Sequence, residues 1–372
     1  MLAFGEFGAA ELGCLEEAAR ASSVDLHTAT SSTDARAWLT DNSARALLLG
    51  GTGNEPMQFA LGTRAQQRHR QLPILALTKS PSDLEFAGAF SWGADDVVEP
   101  HRPWSLATRL RAIVRESLTS QAPPRGIAVI AEIDQSRRIA TARVLFNAGY
   151  EVRFAVTPED TKAFALEPQV ALVVICTELS PDPEELIASA VAQGSSAAFV
   201  ISAEPKRYVE LNQQFSRGLS ARVTDASAPP ENVLFLANEL AAGSLADKRA
   251  AVRVLHGTTV RFRPDGFEES EVGFTYNVST GGLYVRTLAP PSEDIVWLEL
   301  VPPRSTRRVQ LVGQVVWRRP FGPHKKSTVP PGFGCRIIDA PRSSLSRWHE
   351  AVSEAAHDFA GPNSSAAVSV TG

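Results

Sequence analysis

Long apolar runs and targeting segments are missing from this sequence. The longest uninterrupted apolar run, VALVVIC at residues 170–176, is far shorter than the roughly 18 residues that indicate a membrane-spanning helix. The first residues, MLAFGEFGAAELGC, lack the basic segment, apolar stretch and small-residue cleavage site of a secretory signal. We therefore expect a cytoplasmic protein with no membrane insertion.

Cysteines and catalytic motifs are also scarce. The three cysteines, Cys14, Cys176 and Cys335, lie far apart without CxxC spacing, which argues against a zinc site and a disulfide framework. The histidines show no HExxH or HxH spacing, no GxSxG occurs, and GGTGNEP lacks the Lys-Ser/Thr pair of a phosphate-binding loop. We predict no metal, no cofactor and no catalytic residue, and hence a protein that is not an enzyme.

The composition is that of a globular protein with an uneven distribution of charge. The 372 residues suit two or three domains, and 44% of them are hydrophobic and 21% charged. The formal net charge of −4 combines about +7 over residues 248–352 with about −11 over the remainder. An anionic ligand is therefore expected in the C-terminal third.

Two consecutive blocks have the pattern of α/β domains. In the first, short apolar runs such as ALLLGG and LPILALT alternate with helix-length segments, and after the break TSQAPPRG the same order restarts with GIAVIAEID. Short apolar strands separated by helices indicate parallel sheets built from βαβ units. We predict α/β domains at residues 1–118 and 126–243.

From about residue 248 the pattern changes to β-branched alternation with glycine and proline turns. The strand candidates are HGTTVRFR, EVGFTYNVS, GLYVRTL, DIVWLEL, RRVQLVGQVVWRR and GFGCRII, followed by a short helix at SSLSRWHEAV. This pattern predicts a small antiparallel barrel or sandwich at residues 248–352, of which we favour the β-barrel. The small polar residues of 357–372 predict a disordered tail.

Two motifs in the basic region carry recognition chemistry. Arg249 and Arg253 are four residues apart, and YNVSTGG later places Asn277 and Ser279 just ahead of a double glycine that ends at Gly282. Guanidinium groups bind phosphate oxygens or the guanine edge in bidentate fashion and stack on purines. An amide and a hydroxyl can bond a base edge, and glycine lets a ligand approach the backbone. The set suits an anionic nucleotide.

In this order and spacing, the region resembles a PilZ domain, the bacterial receptor module for cyclic di-GMP. That family is recognised by RxxxR followed by (D/N)xSxxG, and both motifs are complete here. The resemblance implies that the two arginines hold phosphates and guanine faces, while Asn277, Ser279 and Gly282 contact the other guanine. It also implies that the ligand frequently binds as an intercalated dimer. Further candidates for the site are Gly281, Trp317 and Arg318.

Each motif also has a purely structural interpretation. The two arginines could lie on a solvated helix face, and NVSTGG could be a hairpin turn whose Asn and Ser bond their own backbone. Trp317 could belong to the core. The joint occurrence of both motifs favours the binding site.

Both α/β blocks resemble response-regulator receiver domains, which implies flavodoxin-like parallel sheets, but the residues for phosphorylation are missing. In the first block Gly50 or Gly51 takes the place of the phosphoacceptor Asp and Glu99 that of the Lys, while Thr78 fits. In the second block Glu132 and Ser202 match in part, but Cys176 ends the strand where the acceptor is needed. Aspartyl phosphorylation needs the carboxylate and a metal. We interpret both blocks as degenerate receivers used for partner binding or for pairing into a homodimer.

The leading hypothesis is a cyclic di-GMP effector that couples nucleotide binding at the barrel to rearrangement against the receiver-like domains. By family analogy its output is motility, exopolysaccharide or development, through an unidentified protein partner. The alternative is a non-binding PilZ-like scaffold that acts only through protein contacts. A phosphorelay role would need an acceptor that the sequence lacks. Binding of a nucleic acid polymer is not expected, because no recognition helix accompanies the basic region.

Overall fold

The computed structural model describes residues 1–51, 53–66, 68–116, 125–215, 221–242, 252–322 and 329–360. The chain divides into two compact units. The first contains residues 1–79, 87–247 and 321–330, and the second contains residues 80–86, 248–320 and 331–372. Arg249 and the basic residues Lys325 and Lys326 lie outside the described residues.

The first unit holds two five-stranded parallel sheets of the same topology. The elements of the first sheet domain are β1 (Leu2–Phe4), α1 (Ala9–Ala21), β2 (His27–Ala29), α2 (Ser32–Asp41), β3 (Leu47–Gly50), α3 (Asn54–Ala65), β4 (Ile74–Leu77), α4 (Asp83–Ser91), β5 (Asp96–Val98) and α5 (Pro103–Glu116). Its strand order is β2-β1-β3-β4-β5. This is the flavodoxin-like order, in which ligands bind beyond the carboxyl ends of the strands.

The second sheet repeats that order. Its elements are β6 (Ile127–Ala131), α6 (Gln135–Asn147), β7 (Glu151–Ala155), α7 (Pro158–Ala165), β8 (Val170–Cys176), α8 (Pro183–Ala192), β9 (Ala198–Ala203), α9 (Pro205–Phe215), β10 (Ala221–Asp225) and α10 (Glu231–Ala242). The strand order β7-β6-β8-β9-β10 leaves β7 at an edge. The central strand β8 is the run VALVVIC, and helices α6 and α10 pack together while α7 contacts α8. A continuous apolar strand of this kind is typical of a sheet covered on both faces.

The second unit is built around a closed antiparallel barrel. Its elements are β11 (Val254–Leu255), β12 (Thr259–Pro264), β13 (Glu271–Ser279), β14 (Gly282–Arg286), β15 (Ile295–Leu300), β16 (Val309–Arg319), β17 (Gly332–Asp339) and α11 (Arg342–Ala360). Six strands close in the order β13-β12-β15-β16-β17-β14, because β14 pairs with β13 again, and β11 adds to β13. The predicted fold class, two α/β sheets followed by a small antiparallel barrel, is confirmed.

The barrel core accounts for the alternation of apolar and polar residues along the strands. Alternate residues such as Val260 and Phe262 on β12 and Leu298 on β15 are buried, together with Phe333 of β17. Trp348 of α11 is fully buried in the same cluster. Because strand side chains alternate between two faces, one apolar set points into the barrel. Helix α11 packs against the same core.

The C-terminal helix differs from the prediction in length. A short helix at SSLSRWHEAV was expected, but α11 extends from Arg342 to Ala360, past residue 357 where the tail was predicted to begin. The stretch AAHDFA continues the helical pattern with good helix formers, since alanine has the highest helix propensity. Residues 361–372 lie outside the described residues.

Among the described helices, none combines the length and the hydropathy needed to span a bilayer.

Candidate functional site

A cavity of about 250 Å³ opens on the barrel where the β13–β14 hairpin meets β16 and β17. Its lining residues are Arg253, Asn277, Ser279, Gly281, Gly282, Leu283, Tyr284, Val316, Trp317, Gly334, Cys335 and Arg336. Two arginines and no carboxylate belong to this lining, so the field in the cavity favours an anion.

The hairpin presents two motif side chains on one face. In a β-strand, residues i and i+2 point to the same side, and Asn277 and Ser279 both line the cavity while Val278 between them lies in the barrel core. The Ser279 hydroxyl donates to the Gly282 carbonyl at 3.2 Å. Among the described residues, the Asn277 amide group has no hydrogen-bond partner although the residue is 4% exposed. Asn277 is not among the described residues whose fully buried side-chain atoms lack a partner, so its amide reaches solvent in the cavity and is available to a ligand.

Arg253 reaches the cavity through strand pairing. Strand β11 pairs antiparallel with β13, with Val254 opposite Val278 and Leu255 opposite Asn277. This register continues to place Arg253 opposite Ser279, beside the two polar side chains of the hairpin. The structure thus brings four of the five principal motif residues to one cavity, and the fifth, Arg249, lies outside the described residues.

An irregularity in strand β16 sets the position of Trp317. Val315 pairs with Cys335 but Trp317 pairs with Gly334, so the register shifts and Val316 is the extra residue. Such a bulge re-aims the following side chain. The Trp317 indole lies against Gly334, where a Cβ would come within 2.6 Å of Nε1, and 38% of the residue is exposed. Trp317 is therefore a partly exposed wall of the cavity and not a core residue.

The two glycines of the motif have different roles. A Cβ at Gly281 would meet no atom within 4 Å, whereas a Cβ at Gly282 would lie 2.2 Å from the Cys335 carbonyl oxygen. Gly282 is therefore required by the close approach of β14 to β17. This packing requirement is distinct from the predicted role of the glycine, which is to let a ligand approach the backbone. Gly281 borders open space in the cavity.

Arg318 and Arg336 have positions that the sequence did not reveal. Arg318 is not among the cavity residues; its guanidinium donates to the carbonyl oxygens of residues 291–293 and pairs with Asp294 at 3.1 Å. Arg336 of β17 lies opposite Gly282 and lines the cavity, with Nη2 donating to Gln314 Oε1 at 2.7 Å. Only the pairing of β17 with β14, which is distant in sequence, brings Arg336 to this site.

Two further lining groups stay neutral. Burial raises the pKa of the Cys335 thiol to about 12, and burial likewise raises the pKa of Tyr284 above its usual value. Neither is a nucleophile or an ionised ligand at neutral pH. Tyr284 instead supports Trp317, with ring centroids 5.2 Å apart.

In the second α/β domain, an arginine lies between two acidic side chains that follow the carboxyl ends of β6 and β8. Arg137 Nη2 lies 3.1 Å from Glu132 Oε1 and 3.1 Å from Glu178 Oε2, which joins the two carboxylates. Cys176 ends β8, and burial raises the pKa of its thiol, which keeps it protonated. Ser202 lines the adjacent cavity of about 220 Å³. A fixed internal cation thus neutralises these acids.

The corresponding place in the first α/β domain is filled by packing. Gly50 ends β3, and a Cβ there would approach the Phe7 ring to 3.0 Å. Thr78 is buried after β4, and Glu99 pairs with Arg102 at 2.9 Å. A side chain at position 50, such as an acceptor aspartate, would require the Phe7 ring to shift by a few tenths of an ångström.

Residues 247–351 match the sequence model of the family described as "PilZ domain". This segment is a PilZ domain. PilZ domains form a family of cyclic di-GMP receptors, and the cavity lies within the matched residues. The match concerns the barrel segment and does not extend to the two α/β sheets.

Solved structures show distant similarity. The Inhibitor of motility (MotI/DgrA) of Bacillus subtilis has 19% identity and a TM-score of 0.24, and the similarity covers 29% of this chain and 50% of that one. This chain therefore spans about half the length of that protein. The PilZ domain of CeSA from a cellulose synthesizing bacterium has 16% identity and a TM-score of 0.22, with 28% of this chain and 99% of that one covered.

A putative two-component system response regulator/GGDEF domain protein has 15% identity and a TM-score of 0.31, with 65% of this chain and 98% of that one covered. No curated protein matches the chain. At these low identities and TM-scores, the similarities carry no information on the ligand of this chain, which has to be inferred from the residues of its own cavity.

Proposed function

We propose that the chain is a cyclic di-GMP-binding effector or adaptor whose PilZ domain binds the nucleotide at the barrel cavity. One observation carries this proposal: Arg253, Asn277 and Ser279, from two separate motifs, line a single cavity with an exposed indole on its wall. A positive cavity with an unpaired amide and an aromatic face matches the three features of a guanine nucleotide, which are phosphate charge, a polar base edge and a flat ring.

Each side chain has a distinct part in this proposal. The guanidinium of Arg253, with that of Arg249, binds phosphate oxygens or a guanine O6/N7 edge by paired hydrogen bonds. The Asn277 amide and the Ser279 hydroxyl bond the edge of a guanine. Trp317 stacks on a base, as aromatic side chains do in single-stranded nucleic acid sites, and Arg336 adds positive charge.

The proposed signal is a rearrangement that begins at the two arginines. Arg249 and Arg253 lie in the segment that joins α10 to β11, and their binding to the dinucleotide repositions the barrel against the receiver-like domains. The output, by analogy with the family, is control of motility, exopolysaccharide or development through a protein partner. The degenerate receiver sites fit a role in protein contacts, which include pairing into a homodimer.

The test is isothermal titration of cyclic di-GMP into the full chain. We expect saturable binding that gives the stoichiometry, one or two nucleotides per chain, and that is abolished by the Arg249→Ala, Arg253→Ala double substitution. Arg342→Ala, which removes an exposed arginine of the same domain outside the cavity, is the matched control and should bind like the wild type. A folded wild type that releases no heat and shows no thermal shift with the nucleotide contradicts the proposal.

Two motif residues also have structural roles, and these support the alternative that the barrel is a scaffold that binds no nucleotide. Ser279 closes its own hairpin and Gly282 permits strand pairing, so both would be retained in a barrel that binds no nucleotide. Under this alternative, cells that carry Arg253→Ala keep the wild-type motility, exopolysaccharide production or development that the protein controls. Under the effector proposal, the same substitution abolishes both nucleotide binding and that control.

A further inference from the structure

A second and larger cavity, of about 600 Å³, lies within the α/β unit. It is bordered by α3 and the residues that follow it on one side, and by α6 and the edge strand β7 on the other. Its lining residues are Arg64, Ala65, Arg70, Gln71, Gln135, Arg138, Ile139, Ala142, Arg143, Phe146, Val152, Phe154 and Val156. This volume is within the range of sites that hold small molecules.

Two of the four arginines, Arg64 and Arg143, are buried. Arg64 Nη2 lies 3.1 Å from Asp95 Oδ2, and Arg143 binds both carboxylate oxygens of Asp95 at 2.8 and 3.0 Å. One buried carboxylate thus forms ion pairs with two guanidinium groups, so the three side chains together carry a net positive charge. Burial, with a smaller contribution from the neighbouring Arg143 charge, lowers the pKa of Arg64 to about 9.

The other two arginines, Arg70 and Arg138, are more exposed and have no acidic partner among the described residues. Within the described part of the chain, no carboxylate oxygen lies within 4 Å of the charged nitrogens of Arg70 or Arg138, and no Asp or Glu belongs to the lining. Arg138 Nη1 donates to the Glu132 carbonyl at 3.0 Å, which fixes the side chain without neutralising it. The cavity therefore attracts anions.

One wall is apolar and partly open to solvent. Phe154 of β7 is 46% exposed, and Val156, which directly follows the strand, is 63% exposed. Phe146 and Val152 line the cavity beside them. The Arg138 guanidinium lies 5.6 Å from the Phe154 ring centroid, so a positive charge and an aromatic surface adjoin at the same place. Exposed apolar side chains grouped beside unpaired cations are the features of a ligand site.

We propose that this cavity binds a small amphipathic anion: a carboxylate or phosphate head held by Arg70 and Arg138, and an aromatic or hydrocarbon body packed on Phe146, Phe154 and Val156. The head gains charge-assisted hydrogen bonds in a positive field, and the body removes exposed apolar surface from water. Because the cavity lies between the two sheet domains of the α/β unit, its occupant also contacts both of them.

The test uses three probes with one aromatic body, titrated into the full chain by calorimetry. These are 2-naphthoate, 2-naphthyl phosphate and neutral 2-naphthol. We expect one site per chain for at least one anion, with affinity at least about tenfold above that of 2-naphthol, the ratio that one charge-assisted bond supplies. The comparison between the two anions tells which head group the site prefers.

Variants assign the binding to this cavity. Arg70→Gln with Arg138→Gln should weaken the preferred anion at least about tenfold and abolish its advantage over 2-naphthol. Phe154→Ala should weaken both the anion and the neutral probe. Arg45→Gln and Phe267→Ala, at exposed positions outside the lining, are the matched controls and should change neither. Circular dichroism confirms that each variant is folded.

The proposal is overturned by any of three results: no probe binds, 2-naphthol binds as well as both anions, or the double arginine variant retains the anion affinity of the wild type. Titration of cyclic di-GMP into the same variants separates this site from the barrel site, because the two lie on different units.

Discussion

At the scale of single residues, the two glycines of the motif differ in role: Gly282 is needed for strand packing, whereas Gly281 faces the cavity. Gly281 borders open space, while the Cβ of any residue at 282 would overlap the Cys335 carbonyl. We expect Gly281→Val to lower cyclic di-GMP affinity at least about tenfold by filling the cavity, with the melting temperature unchanged within about 2 °C. Gly282→Ala should instead lower the melting temperature, because the strands must move apart. Calorimetric titration and thermal unfolding of both variants check this; normal binding by Gly281→Val would place the ligand elsewhere.

A second residue-scale prediction concerns the exposed indole. Trp317→Ala should weaken cyclic di-GMP by about 1–3 kcal/mol, which is the range for loss of one stacked base. Trp297 offers a matched control, since it is 46% exposed on β15 of the same barrel, stacks on Arg263 and is absent from the cavity lining. Trp297→Ala should leave the affinity unchanged in the same titration. Equal effects of the two substitutions would mean that Trp317 acts only through barrel stability.

At the scale of elements, helix α11 supports the turn that carries the motif. Trp348 is fully buried, and its Nε1 donates to the Thr280 carbonyl at 3.2 Å. Trp348→Phe keeps an aromatic side chain but leaves that carbonyl unpaired, at a cost of about 1–3 kcal/mol. We expect faster hydrogen exchange over residues 278–284. Trp92 is the control, because it is buried and its Nε1 has no partner among the described residues, so Trp92→Phe should not accelerate exchange there.

The elements also show what the sequence could predict. The run EVGFTYNVS was predicted as a strand and is β13, because its alternation and its turn glycines are local signals. The same alternation was enough to put Asn277 and Ser279 on one face. The bulge that turns Trp317 outward and the register that brings Arg336 beside Gly282 depend on strands distant in sequence. Pairing between distant strands leaves no local periodicity to read, so Arg336 was missed.

At the scale of the whole molecule, the buried carboxylate of Asp95 joins the two α/β domains of the first unit. It lies just before β5 of the first domain and binds Arg143 and Asn147 of α6 in the second, as well as Arg64 of its own domain. Removing the charge of one partner in a buried network leaves the others uncompensated. The two α/β domains, which the sequence presented as a simple tandem pair, therefore share an ionic contact that neither forms alone.

Asp95→Asn should accordingly destabilise the α/β unit by about 3–5 kcal/mol at neutral pH. Glu167→Gln, which breaks a partly exposed pair with Arg153, is the control and should cost no more than about 1 kcal/mol. Thermal or denaturant unfolding, followed by circular dichroism, measures both variants. A loss for Asp95→Asn no larger than that for Glu167→Gln would show that the network contributes little.

The same carboxylate predicts how stability depends on pH. Burial raises the pKa of Asp95, but the charges of Arg143 and Arg64 and the hydrogen bonds from Arg143 and Ile74 outweigh it, so the net pKa is below its usual value. Because the unfolded state, with a pKa of about 3.9, takes up the proton first, this stabilisation is complete well above pH 4 and is lost as the pH falls below it. The melting temperature of the wild type should therefore fall toward that of Asp95→Asn as the pH is lowered from about 6 to about 3. If the difference between the two proteins stays constant across this range, the Asp95 carboxylate is not the titrating group that holds the two domains together.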